Sequence, residues 1–227
     1  MITVADKKMK FKNIKAIIFD LDGVLTNTSE YHYRAWQMLA DELGIYFDRK
    51  INEKLRGIPR KESLEIMLGK MQVSEEEKLK LMEIKNNYYV KFLTQMTPAD
   101  VLPGVNDLLT EIRNAGVKIG IGSSSKNAHT VIKKLELENF IDSISDGHSV
   151  NNHKPAPDLF LHCAANLKTP PKNAVVVEDA ESGIEAALIG GFWVIGLGPN
   201  DRVGKAHLVF PDFENVHLKD FMENQQI

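Results

Sequence analysis

The sequence predicts an α/β fold: a Rossmann-like parallel sheet core carrying an inserted, all-helical cap domain. Three observations predict it. Short apolar runs that end in acidic or small polar residues recur at residues 15–20, 117–122, 174–177 and 192–196, as strands buried in a parallel sheet require. Helical patterns separate the later runs, and strand–helix alternation builds a parallel sheet with helices on both faces. Residues 28–100, by contrast, carry helical patterns and no strand signal. The expected division is a discontinuous core, residues 1–27 and 103–227, and a cap, residues 28–102.

Taken in order, Lys15-Ala16-Ile17-Ile18-Phe19-Asp20 is a buried strand that delivers Asp20 to its C-terminal tip, and Gly23 permits a sharp exit. Helices are expected over 30–43 and 75–94, with a shorter one over 61–68. Pro98 and Leu102-Pro103-Gly104 mark the return to the core. Leucines and isoleucine at helical spacing predict a helix over 105–115, with Gly116 at its close. The strand at 117–122 runs into Ser123-Ser124-Ser125, and the strand at 174–177 into Glu178-Asp179. Helices over 127–137, 157–167 and 182–189 complete the alternation. Chemistry in such sheets collects outside the carboxyl ends of the strands, where Asp20, Ser123 and Asp179 fall.

The whole chain narrows the classes of function. Its 227 residues are 43% hydrophobic and 26% charged, enough to bury a core without a disulfide or a structural metal. The single cysteine, Cys163, excludes an intramolecular disulfide and a C-x-x-C site; within an apolar run it reads as a small buried hydrophobe. A net charge of −3 argues against a broad nucleic-acid-binding face. Residues 1–13 are rich in lysine but lack the apolar segment of a secretory signal, and the apolar runs are too short to span a membrane. A cytoplasmic monomer with neither nucleic acid nor membrane as partner is the expectation.

Four segments carry candidate chemistry. Asp20 and Asp22 lie two apart on an extended exit, so both carboxylates can face one ligand. They repel unless a cation or a proton intervenes, and one can then be a nucleophile while the other carries a proton. Turn chemistry explains Asp-x-Asp-Gly equally well; an EF-hand does not, since its glycine comes later and a glutamate closes the loop. Glu178-Asp179 suits a hard cation such as Mg²⁺ or, equally, a helix N-terminus. Ser123-Ser124-Ser125-Lys126-Asn127 offers hydroxyls and N–H groups for a phosphate, or an ordinary cap. Gly120-Ile121-Gly122 invites a dinucleotide site but lacks the third glycine, with Ser125 in its place. Lys154, just before Pro155, can neutralise a transferring phosphoryl group or sit on the surface.

These four segments, in this order and spacing, resemble the haloacid dehalogenase superfamily over residues 15–199. The cap sharpens the resemblance: Asn27-Thr28-Ser29-Glu30-Tyr31-His32-Tyr33-Arg34-Ala35-Trp36, Leu55-Arg56-Gly57-Ile58-Pro59-Arg60-Lys61-Glu62-Ser63, Lys85-Asn86-Asn87-Tyr88-Tyr89-Val90-Lys91 and Thr97-Pro98-Ala99-Asp100-Val101 are similar to its β-phosphoglucomutase branch. Asn27, Pro59 and Ser124 depart from that pattern. The resemblance implies a Mg²⁺-dependent phosphomutase acting on a small sugar phosphate, β-glucose 1-phosphate, through an aspartyl phosphate. It implies Asp20 as nucleophile and Asp22 as acid/base, with Mg²⁺ held by Asp20, Glu178, Asp179 and the Asp22 carbonyl. Ser123 and Lys154 would hold the transferring phosphoryl group. Arg60, Ser125 and Asn127 would grip the other phosphate, with Ser124, Gly57, His32, Trp36 and Lys85 completing the substrate site. A sugar-phosphate phosphatase, or a protein that only binds sugar phosphates, are the alternatives.

Overall fold

The structure, a computed structural model, describes residues 10–223; most of the lysine-rich start considered above falls outside them. Six parallel strands form one sheet in the order β3-β2-β1-β4-β5-β6: β1 Ala16–Phe19, β2 Lys118–Gly122, β3 Ser143–Ser145, β4 Ala174–Glu178, β5 Trp193–Leu197 and β6 Leu208–Phe210. The sequence predicts the central four. The two edge strands have three residues each, too few for a period to show against turn-like surroundings.

Alternation along the strands sorts the core into two layers. Ile17, Phe19, Ile119, Ile121, Val175, Val177 and Ile195 face one cluster; Ala16, Ile18, Ala174, Val176 and Val194 face the other. The helices α5 Val105–Asn114 and α6 Ala128–Lys134 cover the first face with Leu108, Leu109, Ile112, Val131 and Ile132. On the second face lie α7 Asp158–Asn166 and α8 Glu181–Ile189, with Phe160, Cys163, Ala164, Ile184 and Ala187. Cys163 is buried and unpaired. The short helices α9 Asn200–Val203 and α10 Leu218–Phe221 follow β5 and β6.

Between β1 and α5 the chain forms α1 Ser29–Leu43, α2 Arg49–Glu53, α3 Arg60–Leu68 and α4 Glu75–Leu93, close to the three helices expected, with α2 in addition. Asp48 caps α2 by accepting from Ile51 N at 2.8 Å, and Ser74 caps α4 by accepting from Glu77 N at 3.2 Å; such caps contribute about 1 kcal/mol each. Trp36, Leu39, Leu64, Met67 and Leu81 make a cluster of their own. Ala35, Tyr89, Leu93 and Met96 instead join the sheet's first cluster, so α1 and α4 pack directly on the sheet layer. The outgoing and returning chains run side by side: Leu102 N donates to Leu25 O at 2.9 Å and Thr26 Oγ1 to Asp100 O at 2.7 Å. Among the described residues, no helix is long and apolar enough to cross a membrane.

Candidate active site

Parallel register puts the strand tips level: Phe19 stands beside Ile121 and Val177. The chain leaves β1 for β2 on one side and later fills β4 on the other, so the sheet reverses direction at β1, where a crevice opens. Asp20 extends this ladder, its N–H donating to Val177 O at 2.9 Å. Beneath it, Lys154 Nζ donates to Asp20 Oδ1 at 2.5 Å and to Glu178 Oε1 at 2.6 Å. Lys154 is 3% exposed, with Phe160 under its ammonium at 4.8 Å. Glu178 uses its other oxygen to accept from Ala180 N at 2.6 Å.

Gly23, at φ +86°, is required by crowding: a Cβ there would lie 2.4 Å from Asp179 Oδ2. That oxygen accepts from Arg56 Nη1 at 2.7 Å. Asp22 turns the other way. Thr28 Oγ1 donates to its Oδ1, and His32 Nε2 stands 3.9 Å from its Oδ2. Lys85 Nζ lies 2.9 Å from His32 Nδ1; with the lysine donating, a neutral imidazole carries its proton on Nε2, towards Asp22. The His32 ring stacks on Tyr89 at 4.1 Å, and Lys85 lies over Trp36 at 4.8 Å.

This packing shifts the site's titrations. Burial, then repulsion from Asp20 and Asp179, pushes the Asp22 carboxyl up to about 7. Burial, then Lys85 and Arg60, holds His32 well below its usual value; burial and Arg60 do the same to Lys85. Burial raises Asp179, with Asp20 adding to it and Arg56 opposing. Burial alone would lower Lys154, but Asp20 and Glu178 outweigh it and hold the ammonium above its ordinary value.

A cavity of about 670 Å³ lies between these groups and the helical segment. Asp20, Asp22, His32, Trp36, Gly57, Arg60, Lys85, Ser124, Ser125, Glu178 and Asp179 line it. Ser123 and Lys154 lie behind the lining, both buried; Ser123 Oγ accepts from Ser125 N at 3.1 Å. Asn127 reaches the cavity through Asn86, whose Oδ1 accepts from Asn127 Nδ2 at 3.0 Å and from Arg60 Nη2 at 2.8 Å. The sequence reading assigned no role to Thr28, Arg56, Asn86, Tyr89, His153 or Arg202. Thr28, Arg56, Asn86 and Tyr89 lie within the stretches that resemble the family, whereas nothing local marks Arg202. Ser124 Oγ, His153 Nδ1 and Arg202 Nε are buried without a protein partner, which is uncommon away from binding sites.

Among the described residues no three His, Cys, Asp or Glu side chains already form a metal cage, since Lys154 and Arg56 stand between the carboxylates. The residues fit a hard divalent cation all the same. Their donors are oxygens only, the preference of Mg²⁺. Lys154 takes Asp20 through Oδ1 and Arg56 takes Asp179 through Oδ2, which leaves Asp20 Oδ2 and Asp179 Oδ1 for it.

Residues 17–196 match the family model of the haloacid dehalogenase-like hydrolases. A β-phosphoglucomutase of Bacillus subtilis is 41% identical over 210 residues, 91% of this chain and 93% of that protein. A phosphorylated carbohydrates phosphatase of Thermotoga maritima is 28% identical over 86% of this chain and 90% of its own length. The crystal structure of β-phosphoglucomutase from Clostridium difficile superposes with a TM-score of 0.88 at 41% identity, covering 91% of this chain and 94% of that one. The chain therefore belongs to the haloacid dehalogenase-like hydrolase family, within which it is similar to the β-phosphoglucomutases.

Proposed function

We propose that this protein is a Mg²⁺-dependent phosphomutase that interconverts β-glucose 1-phosphate and glucose 6-phosphate through an aspartyl phosphate and glucose 1,6-bisphosphate. The observation that carries this reading is the pairing of two carboxylates with opposed environments. Asp20 is held by Lys154, while Asp22 keeps its proton up to about pH 7 against the His32–Lys85 pair of the helical segment. Nucleophile and acid/base are separated in this way when environments push two carboxyls apart. In this division of labour residues 1–27 and 103–227 are the core and residues 28–102 the cap.

Asp20 attacks phosphorus, and Asp22 gives its proton to the departing sugar oxygen. Lys154 passes from Asp20 Oδ1 to the phosphoryl oxygens, and the Ser123 hydroxyl takes another, while Ser125 joins Arg60 and Asn127 at the far phosphate. When bound at Asp20, Asp179, Glu178 and the Asp22 carbonyl, Mg²⁺ would offset the charge of the transferring group. The far phosphate replaces the Asn86 carbonyl between Arg60 and Asn127, so that cap and core grip one anion. The free hydroxyl of a bound sugar monophosphate attacks the aspartyl phosphate while Asp22 accepts its proton. The bisphosphate so formed turns end for end, and Asp20 takes its other phosphoryl group as Asp22 returns that proton to the leaving oxygen. A closed cap keeps water from the aspartyl phosphate throughout.

The test is to incubate the full chain with β-glucose 1-phosphate, Mg²⁺ and a trace of glucose 1,6-bisphosphate. Glucose 6-phosphate without stoichiometric inorganic phosphate supports the mutase. Phosphate release alone overturns it in favour of a phosphatase, the activity named for the Thermotoga maritima relative. Asp20→Asn is expected to lower turnover by about 10⁴-fold or more, as removal of a covalent nucleophile does; unchanged turnover would exclude the aspartyl phosphate.

A further inference from the structure

Beside the cavity, two arginines and two carboxylates form a closed ring of alternating charge. Arg56 reaches Asp179 Oδ2 at 2.7 Å and Glu53 Oε1 at 2.8 Å. Arg202 closes the ring, 3.6 Å from Glu53 Oε1 and 4.0 Å from Asp179 Oδ2. Glu53 and Arg56 belong to the end of α2 and the loop after it; Asp179 and Arg202 follow β4 and lie in α9. Each half therefore contributes one acid and one base.

Two contacts in the ring join the halves, Arg56–Asp179 and Arg202–Glu53, and two lie within a half. When the halves part, Arg56 keeps Glu53 and Asp179 keeps Arg202. Neither half is left with a bare charge, so parting avoids the heavy penalty of breaking a buried pair. The side chains are 26% exposed at Arg56, 28% at Arg202 and 54% at Glu53, so the pairs to Glu53 are weak by themselves, whereas the Asp179 side chain is only 6% exposed. Together the contacts bias the closed state without locking it. Arg202 is aimed into this position: a Cβ on Gly198 would lie 2.6 Å from its Nη2. The ring uses Asp179 Oδ2 and takes no bond from Oδ1, so it is compatible with a bound cation.

We propose that Glu53 and Arg202 are positioning residues that seat Arg56 on Asp179, and that they thereby set how often the aspartyl phosphate is lost to water instead of passing to sugar. This rests on the mutase reading above. In the loss reaction a water oxygen bonds to phosphorus while the bond from phosphorus to the Asp20 oxygen breaks. One water proton stays on the phosphate, the other passes to Asp22, and the Asp20 carboxylate is regenerated.

Hydrogen–deuterium exchange over residues 53–60 of the full chain, with Mg²⁺ present, tests the seating apart from catalysis. Glu53→Gln and Arg202→Gln should each speed exchange roughly fivefold, and the double variant should add little, because both act on one ring. Arg202→Lys should keep part of the protection. In turnover, the single variants should raise inorganic phosphate released per glucose 6-phosphate formed, by a similar factor. Wild-type exchange in Arg202→Gln, or effects that simply add in the double variant, would overturn the proposal. Should Arg202→Gln misfold, Glu53→Gln and Arg202→Lys carry the same test. Phosphate release alone from the unaltered protein would defeat the mutase reading while exchange still judges the ring.

Discussion

At the scale of single residues, the site is a set of carboxylates whose charge is managed by neighbours. Asp22 is the informative one. Its carboxyl titrates near 7 in the folded protein, against the ordinary 3.8 that it regains on unfolding. Between those values the folded state holds the extra proton, so this contribution to stability is complete below the lower value and is lost as pH rises through the upper one. Metal-free protein should melt at progressively lower temperature as pH is raised from about 4 to about 8, and Asp22→Asn should flatten that slope. Parallel melting curves for the two proteins would refute the assignment of the proton to Asp22. Asp20, Asp22, Lys154, Glu178 and Asp179 were readable in the sequence because each sits next to an apolar run or a proline that betrays its backbone position. Arg202 was not. Its relevance arises from a contact with Glu53, which lies far away in the chain, and no local pattern encodes that proximity.

At the scale of elements, the four central strands were readable because each is a run of apolar residues buried on both faces. β3 and β6 were not, because three-residue edge strands with polar neighbours look like turns. The short α2 was missed for a related reason: it buries no residue fully, so no apolar stripe announces it. The loop that follows α2 has large consequences nonetheless. Gly57 holds φ +72°, and a Cβ there would come within 2.7 Å of Ala180 Cβ and 2.8 Å of Ser182 Oγ at the start of α8. Ser182 Oγ also donates to Gly57 O at 3.3 Å. Gly57→Ala therefore strains the backbone and pushes the loop carrying Arg56, and with it Arg60 at the start of α3, away from the sheet. Parting relieves the strain, so the global stability loss should be only about 1 kcal/mol, about 2–4 °C in Tm for a chain of this size. KM for the sugar phosphate should rise severalfold. A melting point lowered far beyond this with KM unchanged would show that Gly57 serves the fold and not the closure.

At the scale of the whole molecule, the fold sets three hydrophobic clusters around a charged seam. The helical segment shares its inner face with the sheet layer through Ala35, Tyr89 and Leu93, while Trp36, Leu39 and Leu64 form a separate nucleus. Sequence patterns reveal the apolar faces, since each follows from periodicity, but not how the helical segment meets the sheet, which depends on surfaces assembled from distant residues. At the seam, Asp20, Asp22, Glu178 and Asp179 converge, with Lys154 bridging Asp20 and Glu178 and Arg56 bonding Asp179. Their mutual repulsion and burial are a cost that the folded state bears and the unfolded chain does not, and a bound divalent cation removes it. Mg²⁺ at about a hundred times its dissociation constant should stabilise the protein by about 2.7 kcal/mol, which raises Tm by about 5–10 °C for a domain of this length. Asp179→Asn should abolish most of that rise while leaving the metal-free protein folded, because Arg56 can still bond an amide oxygen. The measurement is calorimetric melting with Mg²⁺ against chelator. Equal melting points in the two conditions would mean that the oxygen cluster does not bind the ion, and the proposed phosphoryl chemistry would then need another source of positive charge.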